Sequence, residues 1–462
     1  MAKQSVPSVE YRSLDPSSGE VVARFDLHSD AAMEQAAQRS WAAFEQWRKV
    51  PFEERAAKLK RLADLLEEGK ERLAAMMALE MGKPLAQGRG EAEKCAWVCR
   101  HFADHGAEML RAEDRESDGS RAYVRYDPIG PVLAVMPWNF PFWQVFRFLA
   151  PAFAVGNTML LKHAPNVPQC ALEIEKLALA AGAPEGVVQA LFLDNDQAAE
   201  LIARREVRGV TLTGSARAGR AVGSAAGKAL KPSVLELGGS DSFSVFADAD
   251  LEAAIEVAVQ SRCLNNGQSC IAAKRFFFEA SIYDQALERM VAVMEARRVG
   301  DPRDTGVDIG PIAREDLRDE LVRQVEAIER AGGTVRSGAR AIDRDGFFFQ
   351  PGVVTDLDPG SDVAKEELFG PVATVYRFED ELELVEKIND SPYGLGASVW
   401  TADAQRQARL IRDIESGSVF VNGLVKSDPR LPFGGVKDSG YGRELSREGL
   451  LELVNVKTVW IA

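Results

Sequence analysis

The stretch Val132-Leu133-Ala134-Val135-Met136 is an unbroken apolar run, and three further runs of this kind follow it along the chain. These are Thr158–Lys162, Val187–Phe192 and Val207–Thr213, and helical periodicity lies between them, as in Pro168–Ala180. Short apolar runs that alternate with helices are typical of βαβ units, whose parallel strands are buried on both faces. This part of the chain therefore predicts an α/β protein with a doubly wound parallel sheet.

The chain before these runs has a helical pattern. Residues 29–110 carry apolar side chains at helical spacing, and Ser29 can cap the first helix. A second helix is expected to run unbroken through Leu59–Leu73. Residues 111–121 are polar and rich in turn formers, and Tyr123-Val124-Arg125-Tyr126 then alternates like a half-buried strand. The helices are thus expected to end near residue 120.

A second α/β block begins after the last of the four apolar runs. It includes a long charged helix from Ala313 to Gly332 and expected strands at Phe347–Phe349 and Val372–Phe378. The tail ends in Val454–Trp460, whose alternation suits an edge strand that can pair with another subunit. The chain is therefore expected to form two α/β blocks and a small strand element.

The composition bounds the classes of function. With 462 residues, 46% hydrophobic and 27% charged, the chain is long enough for two globular domains. Its net charge of −14 argues against a nucleic-acid binder, which needs a basic surface. The most apolar long stretch, Val145–Leu161, contains Arg147 and helix breakers, so we expect no membrane span. Residues Met1–Ser5 lack the apolar core of a signal peptide.

The five cysteines form no regular framework, which fits a reducing, cytoplasmic location. Cys95 and Cys99 lie four residues apart on one expected helix face, with His101 and His105 nearby. A metal site is conceivable there, but packed thiols are favoured, and we predict no metal.

Cys270 closes the turn Leu264-Asn265-Asn266-Gly267-Gln268-Ser269-Cys270. A helical pattern precedes this turn over Asp250–Arg262, and the apolar run Ile271–Phe278 after it is expected to be a buried strand. Asparagine and glycine tolerate the left-handed backbone that such a turn needs. The turn can hold a nucleophilic thiol in place, although a lone cysteine is more often a small buried hydrophobe.

Gly214 and Ser215 follow the strand that ends at Thr213, and the next helix carries Gly219 and Gly223. The backbone N–H groups at such a helix start can bind a phosphate. The glycine spacing resembles a P-loop, but Arg220 stands where that motif needs lysine, which excludes a nucleotide triphosphatase. A tight strand–helix turn would explain the glycines equally well.

Three further motifs place polar groups beside apolar strands. Glu236 lies in an apolar run before a glycine pair, and burial would raise its pKa toward that of a general base. Asn139 follows a strand between two prolines and could stabilise an oxyanion. Glu367 and Phe369 share a rigid turn that could contact a ribose and a ring. A satisfied buried glutamate and ordinary surface turns remain the alternatives.

Together these motifs resemble the aldehyde dehydrogenase superfamily over nearly the whole chain, in both order and separation. The late run Pro432–Gly440 belongs to the same pattern. The resemblance implies that the Cys270 thiolate attacks an aldehyde, while Asn139 and the Cys270 backbone N–H hold the oxyanion. Hydride would then pass to a nicotinamide, and Glu236 would activate the water that hydrolyses the thioester.

The same resemblance implies a set of cofactor contacts in which Lys162 and Glu367 bind ribose, Ser215 contacts the pyrophosphate and Phe369 lines the nicotinamide pocket. The full set is Trp138, Lys162, Ala164, Pro165, Gly214, Ser215, Glu367 and Phe369. Many NAD-preferring members carry a glutamate three residues after the lysine, where this chain has Pro165. With Lys162 and His163 close by, we expect NADP to be preferred and NAD to be usable.

The segments Trp138–Arg147 and Lys162–Val167 are most similar to bacterial NAD(P)-dependent succinate-semialdehyde dehydrogenases. The resemblance implies substrate contacts from Arg147, Trp143 and Ser427. Arg147 lies in an apolar segment, so either a protein carboxylate or the substrate carboxylate must balance its charge. The expected substrate is succinate semialdehyde. The alternatives are a longer ω-carboxy semialdehyde, such as glutarate semialdehyde, or a catalytically idle dinucleotide-binding structural protein.

These implications complete the expected domain organisation. Residues 1–119 and 132–236 are expected to form a dinucleotide-binding domain, and residues 237–430 a catalytic domain. Residues 120–131 and 438–462 are expected to supply bridging or oligomerisation strands. The expected partners are a small aldehyde with a terminal carboxylate and a second copy of the chain, in a homodimer or a dimer of dimers. No nucleic acid and no membrane is expected as a partner.

Overall fold

The computed structural model describes residues 9–462, so the expectation for Met1–Ser5 lies outside the described residues. The helices are α1 (Asp30–Trp47), α2 (Phe52–Glu68), α3 (Lys70–Met81), α4 (Leu85–Met109), α5 (Trp143–Val155), α6 (Pro168–Ala180), α7 (Asn195–Ala203), α8 (Ala216–Lys228), α9 (Leu251–Cys263), α10 (Tyr283–Glu295), α11 (Glu315–Arg330), α12 (Glu381–Asn389), α13 (Ala404–Asp413) and α14 (Ser446–Leu451). Short 3₁₀ helices lie at Leu264–Gly267 and Val363–Lys365.

The strands lie in six sheets. They are β1 (Tyr11–Leu14), β2 (Val21–Phe25), β3 (Glu113–Arg115), β4 (Arg121–Pro128), β5 (Pro131–Met136), β6 (Thr158–His163), β7 (Val188–Ala190), β8 (Gly209–Thr213), β9 (Ser233–Glu236), β10 (Ser242–Val245), β11 (Arg275–Glu279), β12 (Thr334–Ser337), β13 (Arg340–Ala341), β14 (Phe349–Gln350), β15 (Gly352–Thr355), β16 (Val372–Phe378), β17 (Tyr393–Gly394), β18 (Gly396–Trp400), β19 (Ser418–Val421), β20 (Val436–Lys437), β21 (Gly440–Tyr441) and β22 (Val454–Ile461).

The four apolar runs form β5, β6, β7 and β8 of a six-stranded sheet in the order β21-β9-β8-β5-β6-β7. All neighbouring pairs are parallel except β21, which pairs antiparallel with β9. Within this sheet the central strand β5 comes first in the sequence. Strands β6 and β7 follow on one side of it, and the chain then crosses to form β8 and β9 on the other side. The predicted α/β class with a doubly wound sheet is confirmed. In such a sheet ligands bind where the strand order reverses, at the carboxyl ends of the strands.

The second block folds around a seven-stranded sheet in the order β12-β15-β16-β11-β10-β18-β19, in which only the β12–β15 pair is antiparallel. Strand β16 has the predicted bounds Val372–Phe378. The run Ile271–Phe278 is strand only from Arg275 onward, because its first residues complete the turn that carries Cys270. The run Phe347–Phe349 contributes only its last residue to a strand.

A three-stranded antiparallel sheet in the order β22-β4-β3 stands apart from the two large sheets. The tail strand β22 pairs along its whole length with β4 of the same chain, and no strand of residues 9–462 pairs with its other edge. Residues 438–462 were expected to supply bridging strands, but within this range only Val454–Ile461 lies in the three-stranded sheet. Strand β21 joins the six-stranded sheet, and α14 packs against α5 and α4. Strand β3, which lies within residues 1–119 of the expected dinucleotide-binding domain, also belongs to the three-stranded sheet.

The helices of residues 29–110 largely follow the sequence pattern. The Ser29 hydroxyl accepts a hydrogen bond from Ala32 N and caps α1 as predicted. The helix expected through Leu59–Leu73 is two helices, because Gly69 ends α2 and starts α3. Helices α2 and α3 both pack against α4, and each needs apolar side chains on that face. The apolar spacing therefore continues across the break at Gly69.

The core forms layers on both faces of the two large sheets. The largest cluster joins α2 to α6 with one face of the six-stranded sheet, and a smaller cluster with α1 and α7 covers its other face. Two clusters cover the two faces of the seven-stranded sheet. Among residues 9–462, no helix combines the length and apolarity needed to cross a membrane.

Candidate active site

Three loops meet at the point where the strand order of the six-stranded sheet reverses. In the strand register Val135 lies between Lys162 of β6 and Leu212 of β8. The loops that begin a few residues further along all three strands therefore emerge at the same edge of the sheet. They carry Trp138 and Asn139, Pro165, and Gly214 with Ser215, respectively.

At this edge a cavity of about 250 Å³ lies between the two large sheets. It is lined by Pro137, Trp138, Asn139, Gln144, Thr213, Gly214, Ser215, Leu237, Gly238, Cys270, Leu317, Glu367 and Phe369. The structure thus brings together seven of the residues expected to act in catalysis or cofactor binding. These are Trp138, Asn139, Gly214, Ser215, Cys270, Glu367 and Phe369.

The turn before Cys270 has the backbone that its sequence predicts. Asn265, Asn266 and Gly267 are all left-handed, with φ values of 56°, 59° and 76°. A Cβ atom on Gly267 would lie 2.4 Å from the backbone of Gly370 and Pro371, so this position also needs glycine for space.

Side-chain amides fix the turn to its surroundings. The Asn265 amide donates to the carbonyl oxygens of Asn139 (2.7 Å) and Gln268 (3.0 Å). Asn266 donates to the carbonyls of Gly82 (2.8 Å) and Pro311 (3.0 Å). Asn265 therefore ties the thiol-bearing turn directly to the loop of Asn139.

Lys274 holds the turn from its other end. Its ammonium donates to the carbonyls of Ser269 (3.0 Å), Cys270 (2.8 Å) and Ala272 (3.1 Å). It also lies 3.6 Å from the Glu367 carboxylate, which accepts the Gly239 N–H at 3.1 Å. Glu367 is thus oriented by the protein itself at the edge of the cavity.

The Cys270 thiol is half-buried in the cavity wall. Burial raises its pKa to about 12, although Arg147 and Lys274 act in the opposite direction. The resting thiol is therefore protonated near neutral pH. Asn139 donates one amide N–H to the carbonyl of Gln268 at 3.0 Å, which leaves its second N–H for the cavity.

The strand–helix turn expected after Thr213 is present, and α8 starts at this turn. Ser215 is its N-cap and accepts a hydrogen bond from Ala218 N at 3.3 Å. A Cβ atom on Gly219 would lie 2.5 Å from the Leu237 side chain, so glycine allows the helix to pack closely on the sheet. The rings of Trp138 and Phe369 meet edge to face, 5.7 Å apart, at the wall of the same cavity.

Lys162, Ala164 and Pro165 lie outside the cavity lining, at the end of β6 and in the loop after it. Burial lowers the pKa of Lys162 to about 8, and among residues 9–462 no carboxylate forms an ion pair with it. His163, next to Lys162, is neutral near pH 7. Burial lowers its pKa to about 4, and its ring is held between the carbonyls of Pro141 (2.8 Å) and Met136 (3.3 Å).

Glu236 is buried at the end of β9, and among the described residues neither carboxyl oxygen has a hydrogen-bond partner. Burial and the nearby Glu444 raise its pKa well above the ordinary value, and Arg147 opposes this shift. The carboxyl group faces Gly434, where a Cβ atom would lie 2.8 Å from it. Glu236 therefore stands behind the cavity wall and does not line the cavity.

The sequence left open which carboxylate balances Arg147, and in the structure it is Glu444 of the protein. The guanidinium is 2% exposed, donates to Thr213 Oγ1 at 3.3 Å and stacks on the Phe433 ring at 4.5 Å. Trp143 and Ser427 are buried together, and the indole N–H donates to the Ser427 hydroxyl at 3.1 Å. None of these three expected substrate contacts lines the cavity itself.

Sequence reasoning missed several residues of this region. Gln144 is buried, lines the cavity and has a side-chain oxygen without a partner among the described residues. Lys274 binds three backbone carbonyls, and Glu444 pairs with the Arg147 guanidinium. The contact between Glu444 and Arg147 joins residues that are far apart in the sequence. Lys94 donates to the Ser427 hydroxyl at 2.8 Å. The only signal in the sequence for Lys274 was a charged residue within the largely apolar run Ile271–Phe278, whereas Lys94 lies in the charged stretch 89–94 and has no such signal.

Cys95 and Cys99 point into the largest core cluster, and burial raises the pKa of both thiols. His101 and His105 stack on one another with ring centroids 4.9 Å apart. Within residues 9–462, no three histidine, cysteine, aspartate or glutamate side chains come together as metal ligands.

Comparison with known proteins gives a consistent result. The profile of the aldehyde dehydrogenase family matches residues 3–459. The chain is 48% identical to the probable NADP⁺ succinate-semialdehyde dehydrogenase of Synechocystis over 97% of its length and 99% of the relative. It is also 48% identical, with the same coverage, to the NADP⁺ succinate-semialdehyde dehydrogenase 1 of Mycobacterium tuberculosis.

Solved structures agree. The crystal structure of succinic semialdehyde dehydrogenase from Streptococcus pyogenes, in complex with NADP⁺, superimposes with a TM-score of 0.95. That protein is 37% identical in sequence, and the match covers 98% of this chain and 99% of the other.

Proposed function

Since this chain belongs to the aldehyde dehydrogenase family, we propose that it oxidises succinate semialdehyde to succinate with NADP as the preferred cofactor and NAD as a usable one. The observation that carries the proposal is the cavity at the reversal point of the six-stranded sheet. It joins the thiol of Cys270 and the amide of Asn139 to the loop of Gly214 and Ser215 in one enclosed space. A nucleophile, an oxyanion donor and a turn suited to bind a phosphate are thus close enough to act on one aldehyde and one dinucleotide cofactor.

The first step uses Cys270 and Asn139. The Cys270 sulfur adds to the aldehyde carbonyl as its thiol proton passes to solvent, and the carbonyl oxygen becomes negative. The free N–H of the Asn139 amide and the backbone N–H of Cys270 hold the oxygen that becomes negative. Asn265 supports this geometry because its amide ties Asn139 to the turn. Arg147 and Lys274 favour the thiolate, since both lower the pKa that burial has raised.

The residues at the sheet edge fit a dinucleotide. Lys162 is a buried cation without an acidic partner in the described part of the chain, and the start of α8 offers backbone N–H groups for a pyrophosphate. Ser215, Gly214, Ala164 and Pro165 would border the phosphates and ribose, while Glu367, Trp138 and Phe369 would hold the nicotinamide end. When bound, the cofactor accepts the hydride from the substrate carbon.

Glu236 acts in the second half of the reaction. Loss of hydride leaves a thioester on Cys270, and the thioester is hydrolysed by a water molecule that gives its proton to Glu236. Among residues 9–462 no hydrogen bond holds the carboxyl group beside Gly434, and for this step it has to turn from there toward the cavity. Collapse of the adduct breaks the C–S bond, and the Cys270 sulfur takes the proton from Glu236 to restore the thiol. Succinate leaves after its new carboxyl group has lost a proton to solvent.

The substrate carboxylate is directed to the buried polar cluster beside α5. Arg147, Trp143 and Ser427 supply N–H and O–H donors there, next to Gln144 in the cavity wall. Because Glu444 already balances Arg147, this guanidinium contributes hydrogen bonds more than net charge. We favour a C4 semialdehyde over longer ω-carboxy semialdehydes as the substrate, because the similar proteins described above are named succinate-semialdehyde dehydrogenases.

The protein is proposed to work in the cytoplasm as a homodimer or a dimer of dimers. Its five free thiols suit a reducing compartment. The free edge of β22 exposes Val456 and Trp460, which supports pairing with a second copy of the chain.

A panel of C2 to C6 aldehydes, with and without a terminal carboxylate and with each cofactor, tests the proposal. We expect the highest kcat/KM for succinate semialdehyde with NADP. Higher efficiency with glutarate semialdehyde would favour the longer substrate. If no aldehyde supports cofactor reduction, the protein is a dinucleotide-binding structural protein and the proposal is wrong.

A further inference from the structure

Lys94 of α4 reaches a buried site formed by segments that are distant in the sequence. Its ammonium donates to the Ser427 hydroxyl at 2.8 Å and lies 4.3 Å from the centre of the Trp143 ring. The Trp143 indole N–H donates to the same hydroxyl at 3.1 Å. Trp143 and Ser427 are each only 4% exposed, so the ammonium is directed into the protein.

Lys94 differs from the cations around it because, within the described part of the chain, no carboxylate forms an ion pair with it. Lys83 is paired with Glu91, whose other oxygen accepts two backbone N–H groups of α5. Arg147 is paired with Glu444. Among residues 9–462, Lys94 has no carboxylate within 4.0 Å, so an anion from outside can supply the missing charge.

The Ser427 hydroxyl has a donor to spare. A hydroxyl group has two acceptor positions and one O–H donor. Lys94 and Trp143 occupy both acceptor positions, which leaves the O–H for a ligand oxygen. An ammonium and an O–H that lie side by side match the two oxygens of a carboxylate.

The cluster lies next to the reacting group. Trp143 is followed along α5 by Gln144, which lines the cavity with Cys270. Arg147, one turn further along α5, is close enough to lower the pKa of both the Cys270 thiol and the Lys94 ammonium. The cluster of Lys94, Trp143 and Ser427 therefore adjoins the part of the cavity wall that Gln144 forms.

We propose that Lys94 is the principal cation for the terminal carboxylate of the substrate, which it binds together with the Ser427 hydroxyl. This inference rests on the proposed function and adds a specificity-determining residue to it. The competing view is that Lys94 only ties α4 to the loop of Ser427.

The test compares succinate semialdehyde with butanal, which has the same chain length but no carboxylate. In Lys94→Met we expect kcat/KM for succinate semialdehyde to fall at least tenfold more than kcat/KM for butanal, mainly through KM. Ser427→Ala should act in the same direction with a smaller effect. Lys60→Met is the control, because Lys60 is an exposed lysine paired with Asp104 at 2.7 Å on the surface.

The pH dependence of the unmodified protein provides a second measurement. Burial, reinforced by Arg147, lowers the pKa of Lys94 to about 8. Above this pH the ratio of kcat/KM for succinate semialdehyde to that for butanal should fall about tenfold for each pH unit. Steps common to both substrates, including ionisation of Cys270, cancel in the ratio.

The other groups that face Lys94 are Glu91 and Cys95 on α4, Arg147 on α5 and Asp428 beside Ser427. Burial raises the pKa of Cys95 well above its usual range, and hydrogen bonds from a neighbouring arginine lower that of Asp428 to about 2. Glu91 and Arg147 are held in their ion pairs. A fall in the ratio near pH 8 therefore reports Lys94.

Equal losses for both substrates in Lys94→Met, or a ratio that stays flat up to pH 9.5, would overturn the role of Lys94. If the unmodified protein uses succinate semialdehyde no better than butanal, the proposed function itself fails. The two failures are therefore distinguishable.

Discussion

Arg147 and Glu444 form an ion pair in the protein interior, between α5 and the segment that leads into α14. Both side chains are less than 5% exposed. Glu444 raises the pKa of the neighbouring Glu236, whereas Arg147 lowers it and also lowers that of Cys270. One ion pair thus influences both the proposed nucleophile and the proposed general base.

Glu444→Gln should shift the pH dependence of thioester hydrolysis to lower pH. Removing the Glu444 charge lowers the pKa of Glu236, and the unpaired Arg147 lowers it further. Glu236 would then be ionised, and active as a base, at lower pH than in the unmodified protein. Single-turnover hydrolysis measured between pH 5 and 9 checks this. Glu448→Gln on the exposed face of α14 is the control, and a shift toward higher pH would contradict the assignment.

Arg147→Ala should destabilise the protein and impair the use of both succinate semialdehyde and butanal. Removing one partner of a buried ion pair leaves the other charge uncompensated, which typically costs about 3–5 kcal/mol. A clearly lower Tm is expected, and Arg147→Met combined with Glu444→Gln should recover part of the loss. A normal Tm with selective loss of succinate semialdehyde would instead make Arg147 the principal carboxylate contact.

Cys270→Ala should abolish aldehyde oxidation, whereas Cys263→Ala should retain it. Cys263 ends α9 and packs in the core of the seven-stranded sheet, with its sulfur 3.4 Å from that of Met294. Its loss should therefore reduce stability more than turnover. Steady-state rates and the Tm of both variants are the measurements. Activity that survives in Cys270→Ala would remove Cys270 as the nucleophile.

Asn265→Ala should slow the first step of the reaction by about ten- to a hundredfold. The change removes the buried hydrogen bond to Asn139 and leaves that carbonyl without its Asn265 donor, at a cost of about 1–3 kcal/mol, whereas the Gln268 carbonyl keeps the Asn139 amide as a donor. Asn422→Ala is a matched control, since Asn422 also has a positive φ and two side-chain hydrogen bonds to Thr401 far from the cavity. Pre-steady-state cofactor reduction in both variants distinguishes them, and equal rates would contradict the role of Asn265.

Much of this architecture could be predicted because it depends on local properties of the chain. The apolar runs and the helices between them indicate a doubly wound parallel sheet, and the Asn-Asn-Gly sequence determines the left-handed turn before Cys270. The helix break at Gly69 was missed because apolar spacing continues across it. Local pattern is therefore a good guide to elements and a weaker guide to their ends.

The pairings of charged residues could not be predicted in the same way. Arg147 meets Glu444, and Lys94 meets Ser427, only after four segments from distant parts of the chain have packed together. The sequence established that a buried arginine needs an anion, but it could not establish whether protein or substrate supplies it. The neutral state of His163 likewise follows from its complete burial by tertiary packing, which lowers its pKa although two backbone carbonyls beside the ring act in the opposite direction.

Pro165→Glu should change the cofactor preference. Pro165 lies three residues after Lys162, and its carbonyl accepts the Arg12 N–H at 3.0 Å, so the loop is held while its side chain offers no acceptor. A carboxylate there would accept a ribose hydroxyl and repel the 2′-phosphate of NADP, which carries between one and two negative charges. Because His163 is neutral, Lys162 alone supplies positive charge at the end of β6.

The ratio of kcat/KM for NAD to that for NADP should therefore rise at least tenfold in Pro165→Glu, which corresponds to about 1.4 kcal/mol of discrimination. Pro165→Gln is the matched control, because it adds an acceptor of similar size without the charge. We expect it to retain the preference for NADP. An unmodified protein that depends strictly on NAD would show that another carboxylate contacts the ribose and that Pro165 only shapes the loop.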